Sequence, residues 1–172
     1  MTSDNWTEQG HTAAAGIGKP GVTSLEQVRN TSGLEFLQGM LDGRFPPPPI
    51  ASATDMILYR VELGVAIFQG TPGFRFYNPL GTVHGGWIST LLDSCMGCAI
   101  HSRLERGQAF TTAELKINFV RPIFEKTGPL RAEGRVIHFG RQIATSEGKL
   151  VDEGGKLYAH GTTTCLIFPM PA

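Results

Sequence analysis

The chain has 172 residues, of which 41% are hydrophobic, and its 15 basic side chains balance 15 acidic ones. This length accommodates one domain with its own core, and the neutral balance gives no electrostatic attraction to nucleic acid or to an anionic membrane surface. The 22 glycines and 11 prolines indicate many tight turns between short elements, which favours a protein built on a sheet.

The N-terminus lacks the features of a secretory signal, because it carries an acid at Asp4 and no continuous apolar stretch. No apolar run approaches membrane-spanning length. Three cysteines are an odd number for a disulfide framework and fit a reducing compartment, so we expect a cytoplasmic protein. Cys95 and Cys98 form a C-x-x-C inside an apolar helical pattern, and we expect them to pack in the core rather than to bind metal or serve redox chemistry.

Residues 1–23 show no hydrophobic period, which predicts a flexible arm or a segment packed on a partner subunit. Two capping-box spacings follow, Ser24-x-x-Gln27 and Ser32-x-x-Glu35, and the second begins a short amphipathic helix. Gly43 ends that helical pattern, and Pro46–Pro49 predict a stiff extended linker. We therefore expect an N-terminal arm with a short helix over residues 1–33 and a single domain over residues 34–172.

The rest of the chain is predicted to form strands around one long helix. The runs MILYRVE and VAIFQG, separated by Leu63-Gly64, predict a hairpin, and a turn-rich segment then leads to a helix from about Gly85 to Ser102. After Gly107 the hydrophobic period changes to two, which predicts a strand that ends or bulges at Arg121-Pro122. Further strands are predicted at 130–138, 142–151 and 156–168. The expected fold class is α+β, with one long helix wrapped by a bent antiparallel sheet of about six strands.

The long helix contains one acid in an otherwise apolar pattern. Asp93 lies just outside the predicted core arc, on a stripe of small residues with Gly86, Thr90 and Gly97 that leaves room for a ligand or another backbone. The helix begins at Gly85-Gly86, where free amides and the positive dipole end suit an anion or a developing oxyanion. The core arc itself is predicted to contain Ile88, Leu91, Leu92, Cys95, Met96 and Ala99.

A helix-end donor and a carboxylate are the two groups needed for attack of water on an acyl group. Asp93 and Gly85 are separated by on the order of 12 Å along the helix axis, too far for one copy to direct both groups at one substrate. A homodimer that brings Asp93 of one subunit opposite Gly85 of the other removes this difficulty. The sequence therefore predicts an oligomer.

Asn78, His84-Gly85-Gly86 and Asp93, followed by TTAELKINFVRP from Thr111 to Pro122, resemble the PaaI-like acyl-CoA thioesterases of the hotdog fold. The resemblance covers about residues 34–168. It implies acyl-CoA as substrate, active sites at a dimer interface, and dimers that pair into homotetramers. It implies no metal or other cofactor.

Transferred to this sequence, the resemblance makes Asp93 the general base or nucleophile and the Gly85 amide the oxyanion donor. His84 and Asn78 would orient the thioester and the helix entry, and Thr111 or Thr112 would hold the attacking water. Gly86 is expected to leave room for the substrate carbonyl.

Three cationic or titratable side chains at strand ends, Arg121, His138 and Arg141, are candidate contacts to CoA phosphates. His101 is predicted to be a surface residue stabilised by the C-terminal end of the helix dipole.

Two other functions remain open from the residues. One is a hotdog dehydratase or hydratase acting on acyl thioesters, although the spacing of Asn78, His84 and Asp93 disfavours it. The other is a non-catalytic acyl-CoA binding or sensor protein, against which the presence of Asp93 argues. Structural alternatives also remain: Asp93 as a solvated helix acid, His84 as a capping residue, and Asn78 as a turn residue before proline.

Overall fold

The computed structural model describes residues 5–171. Within them the main elements in chain order are α1 (Trp6–Ala15), α2 (Leu25–Arg29), α3 (Gly33–Leu41), α4 (Pro49–Ala53), β1 (Met56–Glu62), β2 (Val65–Gly70), α5 (Gly85–His101), β3 (Gln108–Phe119), β4 (Leu130–Phe139), β5 (Ile143–Asp152) and β6 (Leu157–Pro169). Short 3₁₀ turns lie at Phe74–Phe76 and Glu125–Thr127. None of the helices within residues 5–171 is long and apolar enough to cross a membrane.

The six strands form one antiparallel sheet in the order β1-β2-β4-β5-β6-β3, as the alternating patterns predicted. The predicted hairpin at Leu63-Gly64 is confirmed, because Glu62 pairs with Val65 across the turn. Gly64 has a φ of +79°, a left-handed conformation that glycine adopts without steric penalty. The short β4–β5 and β5–β6 connections likewise join neighbouring strands.

The core lies between the sheet and α5, and all six predicted core residues of this helix are at most 4% exposed. Strand β4 crosses the helix so closely that a Cβ atom at Gly134 would lie 2.2 Å from the Cys95 carbonyl oxygen. Ser146 of β5 donates a hydrogen bond of 3.0 Å to the Met96 carbonyl. These contacts hold the middle of α5 at a fixed height above the sheet.

Strand β3 is an edge of the sheet, because within the described chain it pairs with β6 and lies last in the strand order. A β-bulge interrupts the β3–β6 pairing between Thr112 and Glu114. A bulge inserts one extra residue and so reverses which face of the sheet the preceding side chains occupy. Leu115 and Ile117 beyond the bulge pack against the core, as the period-two pattern predicted.

Both capping-box spacings mark real helices. The Ser24 hydroxyl accepts a hydrogen bond at the start of α2, and Ser32 and Glu35 form a reciprocal capping box at the start of α3. The prediction of an extended linker over Pro46–Pro49 is wrong at its last residue, because Pro49 begins α4. Proline suits the first turn of a helix, where its missing N–H has no partner to lose.

Part of the N-terminal segment is helical, although its lack of a hydrophobic period predicted a flexible arm or a segment packed on a partner subunit. Residues 6–15 form α1, which packs on β1 and β2 of its own chain. Gln69 donates a hydrogen bond of 2.8 Å to the Trp6 carbonyl, and Tyr59 donates one of 2.9 Å to Gln9. The Arg131 guanidinium lies 4.3 Å from the centre of the Trp6 ring. Residues 1–4 of the predicted arm lie outside the described residues, and the domain boundary after residue 33 stays a prediction.

His101 at the end of α5 is not the surface residue that the sequence predicted. Its ring packs between Phe36 and Phe110, with ring centres 5.5 Å away on each side. Burial lowers the pKa of His101 to about 4, so the imidazole is neutral at pH 7. The desolvation of a charged imidazole therefore outweighs its attraction to the helix C-terminus.

This burial makes the free energy of unfolding depend on pH. The unfolded imidazole takes up a proton near pH 6.5, whereas the folded one stays neutral until about pH 4. The unfolded state therefore binds more protons between these values, and stability falls as the pH decreases from 6.5 to 4, by on the order of 1–3 kcal/mol. Urea unfolding at several pH values should show this loss, and a His101→Gln variant should lack it.

The matched control is His160→Gln, which alters an exposed histidine of β6. That variant should keep the parent's pH dependence below pH 6.5. Stability curves of the parent and His101→Gln that run parallel from pH 7 to pH 4 would contradict the assignment.

Candidate active site

The start of α5 presents one free backbone donor. His84 is the N-cap residue, and its Nδ1 atom accepts a hydrogen bond of 2.8 Å from the Gly86 amide. The Gly85 amide has no acceptor among residues 5–171. His84 thus shapes the helix entry as a capping residue, and Gly85 supplies the unpaired N–H group.

Asn78 holds the loop that precedes His84. Its side-chain oxygen accepts hydrogen bonds from the amides of Leu80 (2.9 Å) and Thr82 (3.3 Å), and its amide nitrogen donates one of 2.9 Å to the Thr82 hydroxyl. The predicted turn role of Asn78 is therefore present in the structure. The side chain also reaches the wall of a cavity next to Gly85.

That cavity has a volume of about 350 Å³. Gly85, Asn78 and Arg121 contribute to its wall, and the Arg121 guanidinium donates a hydrogen bond to the Leu157 carbonyl. The ring of Phe119, at the end of β3, packs so close that a Cβ atom at Gly85 would lie 3.2 Å from it. Sequence reasoning missed Phe119, which it treated as one more apolar residue of an alternating strand.

Asp93 lies two turns further along α5, next to the N-terminal half of β3. Its carboxylate is partly buried and accepts a hydrogen bond of 3.0 Å from the Thr112 hydroxyl. Thr112 precedes the bulge, so it faces α5 together with Phe110, whereas Thr111 between them points to the opposite face. A regular alternation counted back from Leu115 would have selected Thr111 instead.

The predicted stripe of small residues is open at only one end. Gly86 is exposed, and the Thr90 hydroxyl donates a hydrogen bond of 2.9 Å back to the Gly86 carbonyl. Gly97 is buried, because the Phe110 ring packs on it at 3.3 Å from the position of a Cβ atom. The space expected for a ligand at Gly97 is thus filled by the protein itself.

The three candidate phosphate contacts do not come together within one chain. Arg121 lies beside Gly85 at one end of the sheet, where the Arg121 amide donates a hydrogen bond to the Tyr158 carbonyl. His138 and Arg141 are exposed at the β4–β5 turn, which shares its end of the sheet with Thr112. The strand pairings separate the two ends by roughly 20 Å.

The cysteines have the character of core residues. Burial raises the pKa of Cys98 to about 12, with the nearby negative charge of Asp93 as a second cause, and burial raises the pKa of Cys95 well above its ordinary value. Thiols with raised pKa values are poor nucleophiles and poor ligands. Within residues 5–171 no group of His, Cys, Asp and Glu side chains is arranged to hold a metal ion.

Comparison with known proteins places this arrangement in a family. The sequence profile of the thioesterase superfamily matches residues 80–159, which contain Gly85, Asp93 and Thr112. The proofreading thioesterase EntH of Klebsiella pneumoniae is 31% identical over 101 residues, which are 59% of this chain and 72% of that protein.

Solved structures agree with this assignment. A phenylacetic acid degradation-related protein of Ralstonia eutropha superposes with a TM-score of 0.70 at 30% identity, covering 76% of this chain and 98% of that one. The phenylacetic acid degradation protein PaaI of Thermus thermophilus superposes with a TM-score of 0.62 at 26% identity, covering 69% and 97%.

A long helix wrapped by a six-stranded antiparallel sheet is the architecture of the hotdog fold. The chain belongs to the thioesterase superfamily, as its sequence resemblance predicted. It is a thioester hydrolase that acts on an acyl thioester.

Proposed function

We propose that the protein is an acyl-CoA thioesterase whose active sites form between two copies of the chain. Asp93 acts as the general base or nucleophile, and the Gly85 amide of the other copy stabilises the oxyanion. The hydrogen bond from Thr112 to Asp93 is the observation that supports this assignment most directly, because it aims the one acid of the helix at the sheet edge. The products are a carboxylic acid and free CoA.

Each group has a distinct task in this mechanism. The Thr112 hydroxyl donates to one carboxylate oxygen of Asp93 and so fixes the orientation of the carboxylate. The other oxygen is then free to take the proton of the attacking water or to attack the thioester carbonyl. The Gly85 N–H donates to the carbonyl oxygen as negative charge develops there, at the positive end of the α5 dipole. His84 and Asn78 position that amide through the cap and the preceding loop.

The edge strand supports the pairing of two copies. A 12-residue edge strand with mostly exposed side chains offers unpaired backbone groups to a second strand. In an antiparallel β3–β3 pairing about a two-fold axis between Leu115 and Lys116, Thr112 lies opposite Phe119 of the partner subunit. Asp93 contacts Thr112 and Gly85 contacts Phe119, so this register brings each acid toward the other copy's helix start.

The same register supports a binding path for CoA. It brings Arg121 of the partner subunit to the end of the sheet where His138 and Arg141 lie, although these three are far apart within one chain. We propose that these residues contact the phosphates of CoA and that Gly86 leaves room for the carbonyl.

We further propose that dimers pair into a homotetramer in the cytoplasm. Four apolar side chains of the sheet remain between 41% and 59% exposed in the single chain, and a second interface would cover them: Ile137, Ile143, Leu166 and Phe168. The three cysteines are free thiols, which fits a reducing compartment.

Asp93→Asn should lower kcat/KM by about 10²–10⁴, because the amide can neither accept a proton nor attack the carbonyl. Free-thiol release from a panel of short, long and aromatic acyl-CoA substrates measures the effect and tests the CoA assignment. Glu147→Gln, which alters an exposed carboxylate of β5, is the matched control and should retain the parent's rates. Tight binding of acyl-CoA by the parent without thiol release would favour the sensor function.

Thr112→Val should lower kcat/KM by roughly tenfold to a hundredfold, since a hydrogen bond to a charged group contributes about 1.5–3 kcal/mol. Thr111→Val changes the same residue type one position earlier, on the opposite face of β3, and should have little effect. The assignment of Thr112 fails if both variants lose the same activity in the thiol-release assay.

Pairs of inactive variants should complement each other. Gly85→Pro removes the amide N–H while proline remains compatible with the first helical position, and Gly85→Ala controls for the added carbon atom. In a heterodimer of Asp93→Asn and Gly85→Pro chains, one site carries both defects and the other carries neither. Co-refolded equal mixtures should therefore regain about a quarter of the parent's activity.

Mixtures that stay as inactive as the separate variants would show that one chain supplies both groups. Gly85→Ala should stay within about tenfold of the parent, because its N–H remains.

A further inference from the structure

The N-terminal helices border a second cavity, which is partly open to solvent and separate from the one beside Gly85. It has a volume of about 600 Å³ and lies between α1, α3, α4, the hairpin β1–β2 and the end of α5. Ligand sites in proteins commonly have volumes of about 300–1,000 Å³, whereas ordinary interiors are close-packed. Of its wall, only Cys98, His101 and Pro129 fall within residues 80–159, so most of it lies outside the part matched by the superfamily profile.

The wall is mostly apolar, although Thr7, His11, Ser52, Asp55, Gln69 and Thr71 also line it. Leu37, Met40, Leu41, Met56, Ile57 and Leu58 contribute to it. Methionine side chains adapt to flexible apolar ligands. His101 is neutral at pH 7 because burial lowers its pKa to about 4, so it adds no charge to the wall.

The cavity cannot close by movement of α1 toward the sheet. Gly10 of α1 already touches β2, because a Cβ atom there would lie 2.2 Å from Gln69 Nε2. Arg131 holds the same helix from outside the cavity wall, with its guanidinium 4.3 Å from the Trp6 ring centre and a hydrogen bond of 2.6 Å to Gln9. A helix held at this height leaves the apolar space behind it unfilled by protein.

We propose that this cavity binds a neutral alkyl chain. A phenyl or acetyl group would cover only a small part of the apolar wall, whereas a longer alkyl chain removes more of that wall from water. No Lys or Arg side chain lines the cavity among the described residues, and the carboxylate of the lining residue Asp55 already forms a salt bridge with Arg75. A free carboxylate head is therefore disfavoured, whereas an alkyl chain on a thioester or an alcohol is not.

The bound alkyl chain has two possible sources, which share this chemistry. It is either the acyl chain of the substrate, in which case the inference rests on the proposed acyl-CoA hydrolysis, or a separate apolar ligand. 1-Decanol serves as the free probe and decanoyl-CoA as the substrate. Because decanol binding requires no catalysis, a failure of the proposed function remains distinguishable from a failure of this site.

The test introduces a larger side chain into the cavity at a residue of α4. Ala51 lines the cavity, whereas Ala53 on the same helix is exposed and does not. Titration calorimetry should show that the parent and Ala53→Phe bind 1-decanol, and that Ala51→Phe binds it at least about tenfold more weakly. Ala14→Phe, with Ala15→Phe as its control, repeats the comparison on α1 in case Ala51→Phe does not fold.

Kinetics then identify the source of the chain. A loss of kcat/KM for decanoyl-CoA, with acetyl-CoA turnover unchanged, would place the substrate's acyl chain in the cavity. Unchanged turnover of both, together with lost decanol binding, would identify a separate apolar ligand. The proposal is overturned if the parent does not bind decanol, or if the filled and control variants bind it equally.

Discussion

The closeness of α5 to the sheet is the constraint on which the rest of the structure depends. At Gly134 the strand backbone approaches the Cys95 carbonyl so closely that no other side chain fits. Ser146 bonds to the next carbonyl along the helix, at Met96. Because the helix is held at this height and rotation, its apolar arc is buried and Asp93 is directed to the edge strand. The position of the acid is thus a consequence of packing one turn of the helix against two strands.

The same packing of α5 keeps the Gly85 amide and the Asp93 carboxylate apart. The helix holds Gly85 and Asp93 on one rigid body, on the order of 12 Å apart along its axis. The exposed edge of β3 lies between them, and pairing of two such edges is a direct route to complete sites. In the proposed dimer, the exposed edge strand of each chain is the surface through which the second chain completes the site.

The two cavities are formed by different parts of the chain. The cavity beside Gly85 is formed by the part of the chain that matches the superfamily, with Phe119 and Arg121 in its wall. The larger cavity is formed mostly by residues that precede the matched part, including those of α1, α3 and α4, and Arg131 of β4 holds α1 through Trp6 and Gln9. On the proposal that the larger cavity binds an alkyl chain, substitutions in the N-terminal helices would change the preference for that chain without altering the chemistry at α5.

The sequence by itself determined the elements whose signals are local. The capping box at Ser32, the turn at Gly64 and the apolar arc around Asp93 all follow from short-range backbone and side-chain preferences. Only the tertiary structure decided that Thr112 rather than Thr111 contacts Asp93, because a bulge leaves no mark in a period-two pattern. It also decided that Phe110 fills the space at Gly97, that His101 is partly buried between two aromatic rings, and that α1 borders a cavity. Each of these depends on contacts between residues distant in the chain, which local preferences do not specify.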